Sequence, residues 1–202
     1  MDTLYLYRFG RAIINAQRML RDRGYTVDIC DEPYALAGAL YSKAAVEKTS
    51  LAEAAKTSYK HRDGHSLSLW CLDRNYDISK SRERMVSTDQ IKAMNEAIGS
   101  CTSMKHIVLS PNKLSPQAKK EQLDAELFLF DELMVDLPRH ELVVPHKLVS
   151  EATVKSVLGQ ALNIRDLPPL PTSDPVARWY AFPKGSVVFV DNPSIKTFRI
   201  VC

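Results

Sequence analysis

The sequence predicts a layered α/β domain over residues 1–136, followed by a small mixed domain of α+β character over 137–202. Three observations carry this reading. Strand-like and helix-like stretches alternate through the first half of the chain, as in a sheet layered with helices. Residues 167–188 (LPPLPTSDPVARWYAFPKGSVV) are so heavily punctuated that they form a compact corner of their own. The hydrophobic share of 45%, the charged share of 25% and only 7 glycines and 11 prolines in 202 residues describe a globular chain without long disordered tracts.

Taken in order, Leu6, Phe9, Ile13, Ala16 and Leu20 step by three and four and predict one apolar stripe on a helix. Arg8, Arg11, Arg18 and Arg21 fall on its other faces, where a solvated role is expected, and Gly24 is a natural stop. A second helix is expected from about Pro33 through Leu36, Ala39, Leu40 and Ala44, and a third, alanine-rich piece over residues 51–57. His61-Arg62-Asp63-Gly64-His65, two histidines with an Asp between, could suggest a metal site, but the glycine makes it a turn and no third ligand is nearby, so no metal is expected. Residues 66–72 alternate Leu67, Leu69 and Cys71 on one side, with Trp70 on a second, partly covered face of the same strand. Residues 74–84 are polar and read as a hairpin connection, with Met85-Val86 as a short strand. Ser87 or Thr88 caps a helix carrying Ile91, Met94 and Ile98, which Gly99 ends. His106-Ile107-Val108-Leu109 is a compact buried strand.

Residues 110–120 (SPNKLSPQAKK) place Lys113, Lys119 and Lys120 around one loop, with Ser115 as a cap and Pro116 in a first turn. The pattern suits either a solvated turn or a tip that faces a phosphate backbone, where lysines supply sequence-independent affinity. Residues 124–132 are an apolar run framed by acids, readable as a strand or a helix end.

In the second domain Leu142-Val143-Val144 reads as a strand stopped by Pro145. Ser150 caps a helix whose apolar face is Val154, Val157, Leu158 and Leu162, with Glu151 in its first turn. Three prolines keep residues 167–171 out of regular helix. Asp174-Pro175 starts a short capped helix, Pro183-Lys184-Gly185 breaks the chain, and Val187 to Val190 form a buried strand. Thr197 to Val201 close the sheet after a turn at Asn192-Pro193. The corner suits either docking or ordinary packing. His140 and His146 are expected to be hydrogen-bonded structural residues.

The chain contains no nucleophile elbow, Walker loop, dinucleotide fingerprint or H-E-x-x-H, so no catalytic residue, cofactor or metal ligand is predicted. Asp124, Glu126, Asp131 and Glu132 beside Lys119 and Lys120 leave a metal-dependent nuclease as an alternative. Cys30, Cys71, Cys101 and Cys202 are scattered, which argues against a zinc ribbon and for reduced thiols inside a cell. A net charge of +3 is far below that of a dedicated DNA wrapper. No signal peptide or membrane-spanning run is seen, and no small-molecule substrate is implied.

The order LPxL, DPVAR, an aromatic pair, KG and VV within residues 167–188 resembles the C-terminal assembly domain of a subunit of multisubunit RNA polymerases. That subunit is called H in archaea and is the shared fifth subunit in eukaryotes. His140-Glu141-Leu142-Val143-Val144-Pro145-His146 is similar to that family's HxLVPxH, and Phe198-Arg199-Ile200-Val201 to its closing strand. Asp22-Arg23-Gly24-Tyr25 resembles the end of the family's first helix, and Ser115, Pro116, Ala118 and Lys119 fit its TPSAK-like tip, although Leu114 stands where the family has Thr. The resemblance is closest from Arg139 to Cys202 and thinnest from Asp31 to Met104.

The resemblance implies a non-catalytic subunit in transcription, with nucleotidyl transfer left to partner subunits. Its C-terminal domain would dock on the largest subunit through Asp174, Pro175, Val176, Ala177 and Arg178. Its N-terminal "jaw" would lie near downstream duplex DNA, with weak sequence-independent contacts from Lys113, Ser115, Pro116, Lys119 and Lys120. The divergent middle and the missing acidic N-terminal extension suit a homologue from a large cytoplasmic DNA virus, with a fast-evolving eukaryote as the alternative. The expected site of action is the host cytoplasm and virion in the first case and the nucleus in the second. A free adaptor that kept the docking domain remains a third alternative.

Overall fold

The computed structural model describes residues 2–99, 104–121, 123–159, 163–193 and 195–202, which divide into two compact units, Met1–Met134 and Val135–Cys202. The roles expected for Cys101 and Leu162 lie outside the described residues.

The first unit opens with α1 (Thr3–Asp22), whose N-terminus Asp2 caps by accepting from the Leu4 amide at 3.0 Å. Phe9, Ile13, Ala16 and Leu20 are buried as the spacing predicts, and Leu6 is half-buried. The arginines depart from the solvated face expected for them. Arg8 pairs with Asp131 at 2.6 Å, Arg18 with Asp31 at 2.6 Å, and Arg11 donates to the Met134 carbonyl at 3.4 Å. Only Arg21 keeps to the exposed face as expected. The physical reason is that Asp31, Asp131 and Met134 fold against α1, so its polar side faces other chain segments as well as water.

Helix α2 (Pro33–Glu47) starts at Pro33, and its first turn is capped by the Glu32 carboxylate. Its buried face is Pro33, Ala37 and Ala44, whereas Leu36 and Leu40 are half-buried and Ala39 is exposed. Small residues turn inward because α2 meets α1 at Gly10, where the backbones approach too closely for larger side chains. Helix α3 (Leu51–Ala54) is shorter than expected, since Thr57 already belongs to a strand, β1 (Thr57–Lys60).

The sheet runs β1-β2-β5-β6, with β2 at Ser66–Cys71, β5 at Lys105–Ser110 and β6 at Glu126–Leu129. β1 is antiparallel to β2, and the β2–β5 and β5–β6 pairs are parallel. Parallel pairing requires a crossover, and α4 (Thr88–Gly99) lies in the one between β2 and β5. Its start is a reciprocal cap: Ser87 Oγ accepts from the Gln90 amide at 3.3 Å and Gln90 Oε1 accepts from the Ser87 amide at 3.0 Å. Ile91 and Ile98 then pack with Trp70, Leu72, Val86 and Val108.

Residues 74–84 form the expected hairpin as two-residue strands, β3 (Tyr76–Asp77) and β4 (Arg82–Glu83). Met85-Val86 is not a strand. Val86 makes a single parallel bridge to Leu114, donating to the Lys113 carbonyl at 2.9 Å and accepting from the Ser115 amide at 3.0 Å. The acid-framed run becomes β6 followed by a 3-10 turn at Phe130–Leu133.

The second unit is a four-stranded sheet of order β7-β9-β10-β8, with β7 at His146–Val149, β8 at Pro169–Leu170, β9 at Val187–Asp191 and β10 at Lys196–Val201. The strand expected at Leu142-Val143-Val144 is absent. Val143 closes a turn on the His140 carbonyl at 2.9 Å, Leu142 is 81% exposed, and the strand begins after Pro145. Pro145 has no N–H for a ladder, but its carbonyl accepts from Asp191 at 2.9 Å and starts the register with β9. Helix α5 (Glu151–Leu158) is capped by Ser150 as expected, yet only Val154 is buried; Val157 is 62% and Leu158 48% exposed.

Candidate docking and nucleic-acid surfaces

The proline-led corner is built around α6 (Pro175–Tyr180). Asp174 Oδ1 accepts from the Val176 amide at 2.8 Å and the Ala177 amide at 3.1 Å, and Pro175 occupies the first helical turn, where no N–H is needed. The helix stops at Ala181, which takes φ 52°, and Gly185 turns the chain at φ 85°. Before the helix, β8 adds the extended prolines to the sheet edge, parallel to β10. Edge placement suits Pro169, which cannot donate to a ladder. The Cys202 amide closes on the Leu170 carbonyl at 3.0 Å.

Five residues of this corner were singled out from sequence. Pro175 is exposed, Asp174 and Arg178 are half-exposed, and Val176 and Ala177 are buried, Ala177 against Leu170, Val188 and Val201. Pro175 and Arg178 therefore shape the surface, Asp174 caps the helix, Ala177 holds α6 on the sheet, and Val176 faces the segment around Val143 and Val144. The HELVVPH segment comes to the same place. Pro138, Val143, Val144 and Pro145 line a small pocket of about 220 Å³ with Val176 and Tyr180. Its histidines bond locally: His146 Nδ1 meets the Val144 carbonyl at 2.7 Å, and His140 Nδ1 accepts from the Leu142 amide at 3.2 Å.

The opposite side of the sheet holds a feature that sequence reasoning missed. A groove of about 620 Å³ opens between α5 and the strands, lined by Val149, Val157, Leu158, Leu167, Phe189 and Phe198. The exposed Val157 and Leu158 are its signal in the sequence, once they are known not to be buried.

In the first unit Lys113, Lys119 and Lys120 are all exposed, and none has an ion pair among the described residues. Their loop is fixed from beneath. Ser115 Oγ accepts from the Ala118 amide at 3.1 Å, its carbonyl accepts from Lys119 at 3.0 Å, Ala118 is buried, and Leu114 is bridged to Val86. The lysines thus project from a held turn, with Pro116 exposed beside them.

The acidic residues do not assemble a nuclease site. Glu126 is gripped by Arg23 through two hydrogen bonds of 2.7 and 2.9 Å, Asp131 is paired with Arg8, and Glu132 accepts from the Leu129 amide at 2.7 Å. Asp124 is exposed on the loop before β6. Nor is Cys71 a nucleophile, because burial, followed by the charge of Asp73, pushes its thiol up to about 12. Inside the sheet a polar chain runs from Trp70 Nε1 to Ser68 Oγ at 2.6 Å and from Ser68 to His106 Nδ1 at 2.5 Å, which accounts for the buried histidine structurally.

Residues 135–201 match the family described as RNA polymerase Rpb5, C-terminal domain. The whole chain is similar to curated relatives. "DNA-directed RNA polymerases I, II, and III subunit RPABC1" of Caenorhabditis elegans is 28% identical over 210 residues, covering 99% of this chain and 96% of the relative. "DNA-directed RNA polymerases IV and V subunit 5B" of Arabidopsis thaliana is 26% identical over 186 residues, covering 91% and 83%. With the Rpb5 C-terminal match over its second unit and fifth-subunit relatives aligned along nearly its entire length, this chain resembles the shared fifth subunit of eukaryotic RNA polymerases.

Proposed function

We propose that this chain is a non-catalytic subunit of a DNA-dependent multisubunit RNA polymerase and acts in transcription. The observation that carries the reading is the match of residues 135–201 to the Rpb5 C-terminal domain, inside a likeness to polymerase subunits that covers 99% of the chain. The C-terminal unit docks on the largest subunit through the surface around α6. Pro175 shapes that surface and Arg178 supplies directional hydrogen bonds to a carboxylate or carbonyl. Asp174, Val176 and Ala177 act through the helix they cap and anchor. The N-terminal unit is a jaw beside downstream duplex DNA, to which Lys113, Lys119 and Lys120 add weak, salt-sensitive, sequence-independent attraction. The chain works where its polymerase transcribes, in the nucleus for a cellular enzyme and in the host cytoplasm and virion for a viral one.

Affinity purification tests the docking. The parent chain should bring down the largest polymerase subunit, and Arg178→Glu should recover clearly less of it while keeping its own fold. Equal recovery by the two chains would remove Arg178 from the interface.

A further inference from the structure

Among the described residues, one cluster gathers three metal-ligating side chains. His61, Asp63 and His65, on the turn between β1 and β2, each place a ligand atom within 4.8 Å of the others. The glycine turn brings Asp63 back over the imidazoles, with its Oδ2 3.3 Å from His61 Nδ1.

Two features set this apart from a chance surface grouping. First, each ring is oriented by a partner distant in sequence. His61 Nε2 meets the Arg23 carbonyl at 3.0 Å, a contact that requires this nitrogen to donate and leaves Nδ1 with the lone pair. His65 Nε2 lies 3.1 Å from the Tyr25 hydroxyl. Partners of this kind orient the imidazoles of metal sites and fix their tautomers. Second, the two imidazoles are immediate neighbours, with ring centroids 4.2 Å apart and Tyr25 edge-on to both, so that turning the exposed His65 ring out of its 20° stack on His61 brings both lone pairs to one ion.

The seat is built into the backbone. Gly24 takes φ +96°, and a Cβ there would stand 2.7 Å from His61 Nε2. The Thr26 amide donates to the Lys60 carbonyl at 2.9 Å and the Arg62 amide to the Gly24 carbonyl at 3.3 Å, so the hairpin is tied to the end of α1 on both sides of His61. His61 is half-buried while Asp63 and His65 are exposed, which leaves the cluster open to an ion from solvent.

We propose that His61, Asp63 and His65 bind a divalent transition cation of the zinc and cobalt class, with water completing the coordination. Two neutral imidazoles and one carboxylate suit such borderline ions, whereas magnesium and calcium prefer oxygen ligands throughout. Coordination at His61 Nδ1 replaces the bond that nitrogen accepts from the Asp63 amide at 3.1 Å. The ion fastens the β1–β2 turn to the end of α1 through the His61–Arg23 contact.

The test is a cobalt and zinc titration of the untagged full chain, beside Asp63→Asn and His65→Gln. Both substitutions change exposed side chains, and circular dichroism confirms that each variant stays folded. One equivalent of cobalt should give the visible spectrum of a four- or five-coordinate ion without a thiolate charge-transfer band. Each variant should lose at least about tenfold in affinity, and zinc should raise the parent's thermal midpoint more than either variant's. Absence of saturable binding, affinity kept by both variants, or a thiolate band that assigns the ion to cysteines would each overturn the proposal.

Discussion

Gly10 of α1 lies against the backbone of Pro33 at the start of α2, so close that a Cβ at position 10 would stand 2.1 Å from the Pro33 carbonyl oxygen. The obstacle is main chain, and relieving it means moving α2. Alanine would gain about 1 kcal/mol of helix propensity, but overpacking of this kind costs about 1–3 kcal/mol, and here the neighbour cannot rotate away. Gly10→Ala should therefore be net destabilising by roughly 1–2 kcal/mol in urea unfolding of the full chain. Gly38 on α2, where an added Cβ would meet nothing within 4 Å, is the control: Gly38→Ala should stabilise by about 0.5–1 kcal/mol.

The fork between Arg23 and Glu126 joins the end of α1 to the edge strand β6. The Arg23 side chain is only 8% exposed. Arg23→Met should lose about 1–3 kcal/mol, because it leaves a half-buried carboxylate without its charged donor. Glu126→Gln should also lower stability and should change no DNA-cleaving activity. Cleavage by the purified parent with magnesium or manganese, abolished by Glu126→Gln, would revive the nuclease alternative.

The hairpin of β3 and β4 should loosen in acid. The Ser79 hydroxyl first, and Arg84 second, hold the Asp77 carboxyl below its usual value. Partial burial pushes Glu83 up, but hydrogen bonds from Arg74 and Asn112 outweigh it and leave Glu83 low as well. Groups with depressed values in the fold add stability that is complete above their unfolded values, near pH 4, and is lost as pH falls through the folded ones. The protection factors of the amides over residues 74–86, each referred to the intrinsic exchange rate at the same pH, should thus fall as the pH drops below about 5, and fall less in an Asp77→Asn, Glu83→Gln double variant. An equal fall in both chains would show that these two acids do not hold the loop.

The lysine loop makes a prediction for the assembled polymerase. Replacing Lys113, Lys119 and Lys120 by alanine together should weaken binding to downstream duplex alike for all sequences. It should also reduce the salt slope by up to about 3. An unchanged slope would return the three lysines to the role of a solvated turn.

Much of the fold was legible where local chemistry and packing agree. The stripe from Phe9 to Leu20, the Ser87 and Ser150 caps and the Asp174-Pro175 start all form as their residue types require. Misreadings arose where a distant partner decided the outcome. Leu142-Val143-Val144 has strand composition, but pairing with β9 begins only at His146, because Pro145 is the residue whose carbonyl meets Asp191. Met85-Val86 is apolar, yet its neighbour is the Leu114 loop, which offers one bridge and no ladder. The arginines of α1 look solvent-bound until Asp31, Asp131 and Met134 fold back onto them. The grouping of His61, Asp63 and His65 escapes a linear reading for the same reason: the groups that orient the two rings, the Arg23 carbonyl and the Tyr25 hydroxyl, lie nearly forty residues earlier. Motif order, in contrast, made the geometry of the proline-led corner visible, since its prolines, cap and strand are all local.

The most direct test of the account is stoichiometry. The multisubunit RNA polymerase should be purified from cells or virions that express this chain, and its subunits counted by quantitative mass spectrometry. The account predicts one copy of this chain for each largest subunit, retained through size exclusion, with cross-links from the C-terminal unit to that subunit. A polymerase of full activity that lacks the chain, with the chain eluting alone, would contradict it.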